Sequence, residues 1–290
     1  MTSAQDRFEI VRQERRDWIR PLSRRAIPLI VAILALGILG FHTVTDVGRV
    51  NHSTLLGAAD YVGSAVCHRI TERSFSIAGR QLPLCARCTG MFLGITLTFA
   101  VLSLAGRKRW INLPPVKIIV ALLVFIGFFA FDGVNSYLHF FPNAPHLYEP
   151  HNWLRLLTGM GAGLALGTIV YPALGQTLWK YQIFRPSIGT FLELALLVIL
   201  ALITIALILT GNEILLYIFG LASAAGVVII LSSIGTMMIL IITKKDARAE
   251  RWRDVVLPLA GGLAFALIQI GIISYARIAI TGTITGIPGL

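Results

Sequence analysis

Long apolar runs alternate with short polar ones along most of the chain. Bands of about 20 apolar residues, the length a helix needs to cross about 30 Å of hydrocarbon, fall at 26–44, 88–106, 116–138, 153–172, 189–210, 214–242 and 256–278. Only helices and closed barrels satisfy their backbone groups in lipid. The pattern therefore predicts an all-α, polytopic integral membrane protein with about seven transmembrane helices. Residues 50–66 are read as a loop or as an amphipathic or re-entrant helix, because a full crossing there would invert everything downstream. Three segments follow: a cytoplasmic N-terminal stretch over 1–25, a core membrane domain over 26–172, and C-terminal helices over 173–290 that extend it. The first apolar run follows about 25 polar and charged residues and has no convincing small-residue cleavage site. Its helix is expected to remain as an anchor.

Composition agrees with a lipid solvent. The chain is 56% hydrophobic and 13% charged, far from the balance of a soluble domain. A net charge of +11 raises nucleic-acid binding, but no aromatic-interleaved basic stripe and no nucleic-acid-binding fingerprint is present. The basic residues lie instead in blocks between the apolar bands. With a cytoplasmic N-terminus, 18 of the 25 Lys and Arg, including every lysine, fall on the inside. Positive charge is retained on the cytoplasmic side, so the expected location is the cell membrane, multi-pass, with the lipid bilayer as the main partner.

This topology sorts the reactive side chains. His42, His52, His68, His139, His146 and His151 fall in or beside external segments, as do Cys67, Cys85 and Cys88. Cys85-Ala86-Arg87-Cys88 leads directly into an apolar band, which puts both sulfurs at a helix N-terminus, where unpaired amides and the helix dipole favour thiolate. Such a pair can ligate a soft metal, cycle between dithiol and disulfide, or form a static disulfide. Cys67-His68, upstream, supplies third and fourth ligands suited to a closed tetrahedral Cys3His zinc site. One zinc or a similar soft divalent ion is the expected cofactor, and the odd cysteine count disfavours a purely disulfide framework.

Two more segments converge on the same side. In "FFAFDGVNSYLHFF", Asp132, Asn135 and His139 recur at helical spacing and share one face. A carboxylate inside an apolar span needs a cation, a metal or a proton. In "HNWLRLLTG", Asn152 and Arg155 stand three apart at the outer end of a span, where Arg155 either snorkels to the interface or pairs with Asp132. Gly159, Gly161, Gly163 and Gly167 form a small-residue face for close helix packing. Arg69, Arg73, Arg80 and Arg87 surround the cysteines. Guanidinium forks suit phosphate and carboxylate, so the cluster either binds an anionic lipid headgroup or small anionic ligand, or balances Asp46, Asp60, Glu72 and bound thiolates. The polar candidates are therefore Arg73, Arg87, Asp132, Asn135, Asn152 and Arg155. Glu193 and the last span receive no role.

The ordered motifs "CHRITERSF", "GRQLPLCARCTG", "FDGVNS" and "NWLRLLTG" resemble a bacterial and archaeal family of integral membrane proteins catalogued as a domain of unknown function. The resemblance runs from about Cys67 to Gly167. It implies a membrane protein patterned on Cys67, His68, Arg73, Cys85, Arg87, Cys88, Gly90, Asp132, Gly133, Asn152, Arg155 and Gly159, and it brings no reaction with it. No Walker loop, GxGxxG after a strand, HExxH or GxSxG is present, and no internal repeat suggests an inverted-repeat transporter. Three functions fit the residues: a metal-dependent membrane enzyme or binding protein, a thiol–disulfide exchange protein, and a transporter or lipid-handling protein built on Asp132 and Arg155. A purely structural membrane subunit is the bland alternative.

Overall fold

The computed structural model describes residues 53–139, 141, 145 and 147–286. The first apolar band, 26–44, and His42, His52 and His146 lie outside the described residues. Seven α-helices are described: α1 Ser53–Val66, α2 Ala86–Leu104, α3 Val116–Leu138, α4 Asn152–Leu178, α5 Phe191–Leu209, α6 Glu213–Ile242 and α7 Trp252–Thr281. The last six are long and apolar enough to cross a membrane. Helix α1, with 14 residues, reaches about 21 Å at 1.5 Å per residue and is too short to span. The fold class and six of the seven expected spans are thus present among the described residues.

The short helix α1 occupies the segment left open between loop and re-entrant helix, and it packs on α6 and α7. Exposed Leu, Ile, Val and Phe side chains cover the outer surfaces of α3, α5 and α7, as expected where the solvent is lipid.

Helices α2 and α4 form the most intimate pair of the bundle, and glycine makes their approach possible. A Cβ on Gly159 would stand 2.1 Å from the Arg87 carbonyl oxygen, and one on Gly163 2.0 Å from that of Met91. From the facing side, a Cβ on Gly90 would meet the Leu156 oxygen at 2.2 Å. Gly167 of α4 packs on Thr98 of α2, whereas Gly161 points toward Phe125 of α3. The expected four-glycine face therefore divides between two neighbours. Helix α6 closes on the other side of α2, where Gly226 lies against the Phe92 carbonyl.

The band expected at 153–172 continues through Pro172 to Leu178. Proline has no N–H for the carbonyl four residues back, and the Thr168 oxygen accepts from the Ser187 hydroxyl instead, at 3.3 Å. At this end of the bundle β3 (Trp110–Asn112) and β4 (Ile183–Pro186) pair in parallel and tie two loops together. At the opposite end β1 (Ser76–Ile77) and β2 (Arg80–Gln81) form a hairpin. Its turn residues Ala78 and Gly79 both have positive φ, 48° and 80°, as a two-residue primed turn requires.

Candidate functional site

That hairpin returns the chain on itself, so that Cys85 comes back to Cys67. Cys67 follows α1, Cys85 is the N-cap of α2, and Cys88 lies in its first turn. All three thiols are free, and their sulfurs lie within 4.8 Å of one another. Cys67 is buried, while Cys85 and Cys88 are partly so. The Cys67 sulfur accepts hydrogen bonds from the backbone N–H of Arg69 at 3.4 Å and of Cys85 at 3.3 Å. Amides directed at sulfur favour the thiolate, but at Cys67 the neighbouring Cys85 thiol and burial outweigh them.

The three thiols do not share protons evenly. The Cys67 and Cys88 thiols, acting as hydrogen-bond partners, hold Cys85 well below its ordinary value, helped by the Cys88 amide and the Arg87 charge. Cys67 is pushed up to about 11, first by its bond with Cys85 and then by burial. The cluster thus biases Cys85 toward the thiolate and Cys67 toward the thiol.

The turn that carries Cys67 is held from three sides. Arg69 has φ +53°, a left-handed conformation that is uncommon for a side chain of this size. Its buried guanidinium donates to Asp60 of α1 at 2.7 Å, and Arg80 takes the other carboxylate oxygen at 2.9 Å. From the far end of the sequence, Arg277 of α7 donates to the carbonyls of Cys67 at 2.5 Å and His68 at 2.8 Å. No motif or spacing along the chain brings Arg277 to this turn. His68 itself is exposed, and its ring stands outside the sulfur group.

A second cluster adjoins the sulfurs. Arg87, between the two cysteines of the CxxC pair, extends to α3 and forms an ion pair with Asp132, whose side chain is 1% exposed. Its Nε donates to Asp132 Oδ2 at 3.1 Å, and its Nη2 reaches the Asp132 carbonyl at 3.0 Å and the Ser136 hydroxyl at 2.8 Å. Tyr148 donates to Asp132 Oδ1 at 2.8 Å and Thr158 to Oδ2 at 3.4 Å. Burial and the bond to Asp132 push the Tyr148 phenol up to about 12.

The partner of Asp132 is thus Arg87, a correction to the Asp132–Arg155 pairing suggested by depth alone. Arg155 bonds Asn152 Oδ1 at 2.8 Å, and Asn152 in turn donates to the Glu72 carbonyl at 3.2 Å. Asn135 uses both ends of its amide on the neighbouring loop, accepting from Leu147 N–H at 2.8 Å and donating to the Tyr148 carbonyl at 2.9 Å. Asp132 and Asn135 share one buried face with Ser136, while His139, the third member of the expected stripe, lies 3.7 Å from Glu149 at the surface. Arg73 donates to the Ser136 carbonyl at 3.0 Å. Burial first, then repulsion from Arg155 and Arg87, draws its guanidinium down to about 10. Of the expected anion-binding arginines, Arg69 and Arg80 are committed to Asp60, while Arg73 and Arg87, joined by Arg155, gather beside Asp132. Tyr148, Ser136 and Thr158 complete that cluster and were not anticipated as members; only the i, i+3 spacing of Thr158 from Arg155 pointed toward it.

Fold and site together define a polytopic helical membrane protein with a three-cysteine cluster and an Arg/Asp network at one end of the bundle. The family model described as Predicted membrane protein (DUF2085) matches residues 67–169, from Cys67 into α4. A protein of Methanothermobacter thermautotrophicus named only as uncharacterized is 34% identical over 104 residues, which are 36% of this chain and 83% of the relative. The uncharacterized protein MJ1492 of Methanocaldococcus jannaschii is 26% identical over 119 residues, 41% of this chain and 70% of its own length. The chain belongs to this family of predicted membrane proteins. No solved structure matches it.

Proposed function

We propose that the protein holds one zinc or similar soft divalent ion on the extracytoplasmic side of the cell membrane, through Cys67, Cys85 and Cys88. The observation that carries this reading is three free sulfurs within 4.8 Å of one another, a spacing suited to ligands of a single ion. Thiolates select soft metals, and three protein ligands leave the fourth tetrahedral position for a further group. His68, exposed and adjacent to Cys67, is the candidate for that position once its side chain turns inward. The extracytoplasmic assignment rests on charge. All five lysines belong to the opposite end of the bundle, as positive-inside orientation requires. The Arg87–Asp132 network adjoins the centre as the polar set that a ligand would meet.

Elemental mass spectrometry on detergent-purified protein tests the reading. Wild type is expected to carry about one zinc per chain, Cys67→Ser, Cys85→Ser and Cys88→Ser to lose it, and His68→Ala to bind it more weakly. Metal-free protein with two of its three cysteines joined would point to thiol–disulfide exchange instead.

A further inference from the structure

An apolar groove of about 360 Å³ lies between α3, α4 and α5, and Phe125, Phe128, Leu157, Thr158, Val198 and Leu202 are among the residues that line it. Phe128, Leu157 and Leu202 are exposed, so the groove opens sideways to the bilayer. Along α4 it runs from Leu154 to Leu164, about 15 Å at 1.5 Å per residue. That is the distance from the edge of a hydrocarbon core about 30 Å thick to its midplane.

The groove itself is apolar, and the polar network touches its wall at Thr158. Thr158 belongs both to its wall and, through Asp132 Oδ2 at 3.4 Å, to the Arg/Asp network. Arg155, one turn closer to the helix N-terminus, is 6% exposed, and its Nε has no hydrogen-bond partner among the described residues. A buried guanidinium with an unused donor leaves a desolvation cost uncompensated. Arg73 and Arg87 stand close enough to repel it, while Asp132 and the Cys85 sulfur offset part of that repulsion. An anion there would meet forked donors that favour phosphate.

We propose that this groove holds one acyl chain of an anionic phospholipid whose phosphate lies against Arg155 at the groove's outer end. The groove suits an apolar chain along half the bilayer, and Arg155, beside Leu154 at the outer end of α4, suits an anion at its edge. The inference stands on the groove and the arginines, apart from the metal reading.

Nanodiscs containing equal parts of phosphatidylcholine and phosphatidylglycerol, followed by native mass spectrometry of the released protein, provide the test. Wild type is expected to retain phosphatidylglycerol over phosphatidylcholine by roughly tenfold, the order of one charge-assisted contact. Arg155→Gln removes the charge that separates an anionic from a zwitterionic headgroup, and Val198→Phe fills the groove; both are expected to bring the ratio near unity. Leu157→Trp replaces Val198→Phe if that variant does not elute as a single folded species. An unchanged ratio in both the arginine and the groove variants overturns the proposal. Displacement of the lipid by millimolar inorganic phosphate, with the groove variants unaffected, overturns it in favour of a free-anion site. The same ratio measured after zinc chelation is expected to be unchanged, so failure of the metal reading and failure of this one are separable.

Discussion

Arg87 of α2 closes on Asp132 of α3 from a position between the two cysteines of the CxxC pair, donating from Nε to Asp132 Oδ2 at 3.1 Å. The pair is nearly dry, with side chains 18% and 1% exposed, and it joins the sulfur cluster to the polar network. Removing one partner of a buried pair leaves an uncompensated charge, at about 3–5 kcal/mol. Arg87→Met and Asp132→Leu are each expected to lose stability on that scale in detergent melts. The double variant is expected to recover most of it, since replacing both partners by apolar groups of similar volume is often neutral. Additive losses in the double variant would show that the two residues act separately.

The Cys67 turn depends on a distant acid. Asp60 accepts from both Arg69 and Arg80, and Arg69 supplies the amide that faces the Cys67 sulfur. Asp60→Asn is expected to weaken zinc retention although Asp60 is no ligand. Chelator competition on the purified variant checks this, and unaltered retention would detach the ion pair from the site.

Glycine sets the distance between α2 and α4. Gly159→Ala drives a Cβ to 2.1 Å from the Arg87 carbonyl, which the helices can relieve only by moving apart. A loss of about 1–3 kcal/mol or more is expected. Gly127 of α3 has nothing within 4 Å of its virtual Cβ, so Gly127→Ala is expected to be neutral or to stabilise by up to about 1 kcal/mol. Thermal melts of the two variants side by side check the contrast.

Metal binding should consume thiol protons. With Cys85 held low and Cys67 pushed up to about 11, the Cys67 sulfur is protonated at neutral pH and must release its proton to a metal. Zinc affinity is therefore expected to rise with pH between 6 and 8, by about tenfold per unit for each proton displaced. Titration calorimetry in buffers of different ionisation heat counts the protons released, and a pH-independent affinity would contradict thiolate ligation.

Hydropathy made the spans legible because lipid imposes one requirement on a whole stretch at once; the band expected at 116–138 coincides with α3. The site was legible only in part. Spacing put Asp132 and Arg155 at similar depth, but it says nothing of rotation about the helix axis. The glycine contacts between α2 and α4 settle that rotation, and they bring Arg87 rather than Arg155 to the carboxylate. Tyr148 and Ser187 lie in loops with no period to read. Arg277 stabilises the Cys67 turn across more than two hundred residues, a contact that only the folded bundle creates.

Zinc K-edge X-ray absorption on the purified protein addresses the central claim most directly. Three sulfurs at about 2.3 Å and one nitrogen or oxygen at about 2.0–2.1 Å are the result predicted for a centre built on Cys67, Cys85 and Cys88. A zinc shell of nitrogen and oxygen alone, or protein that carries no metal and holds two of these cysteines as a disulfide, would contradict it.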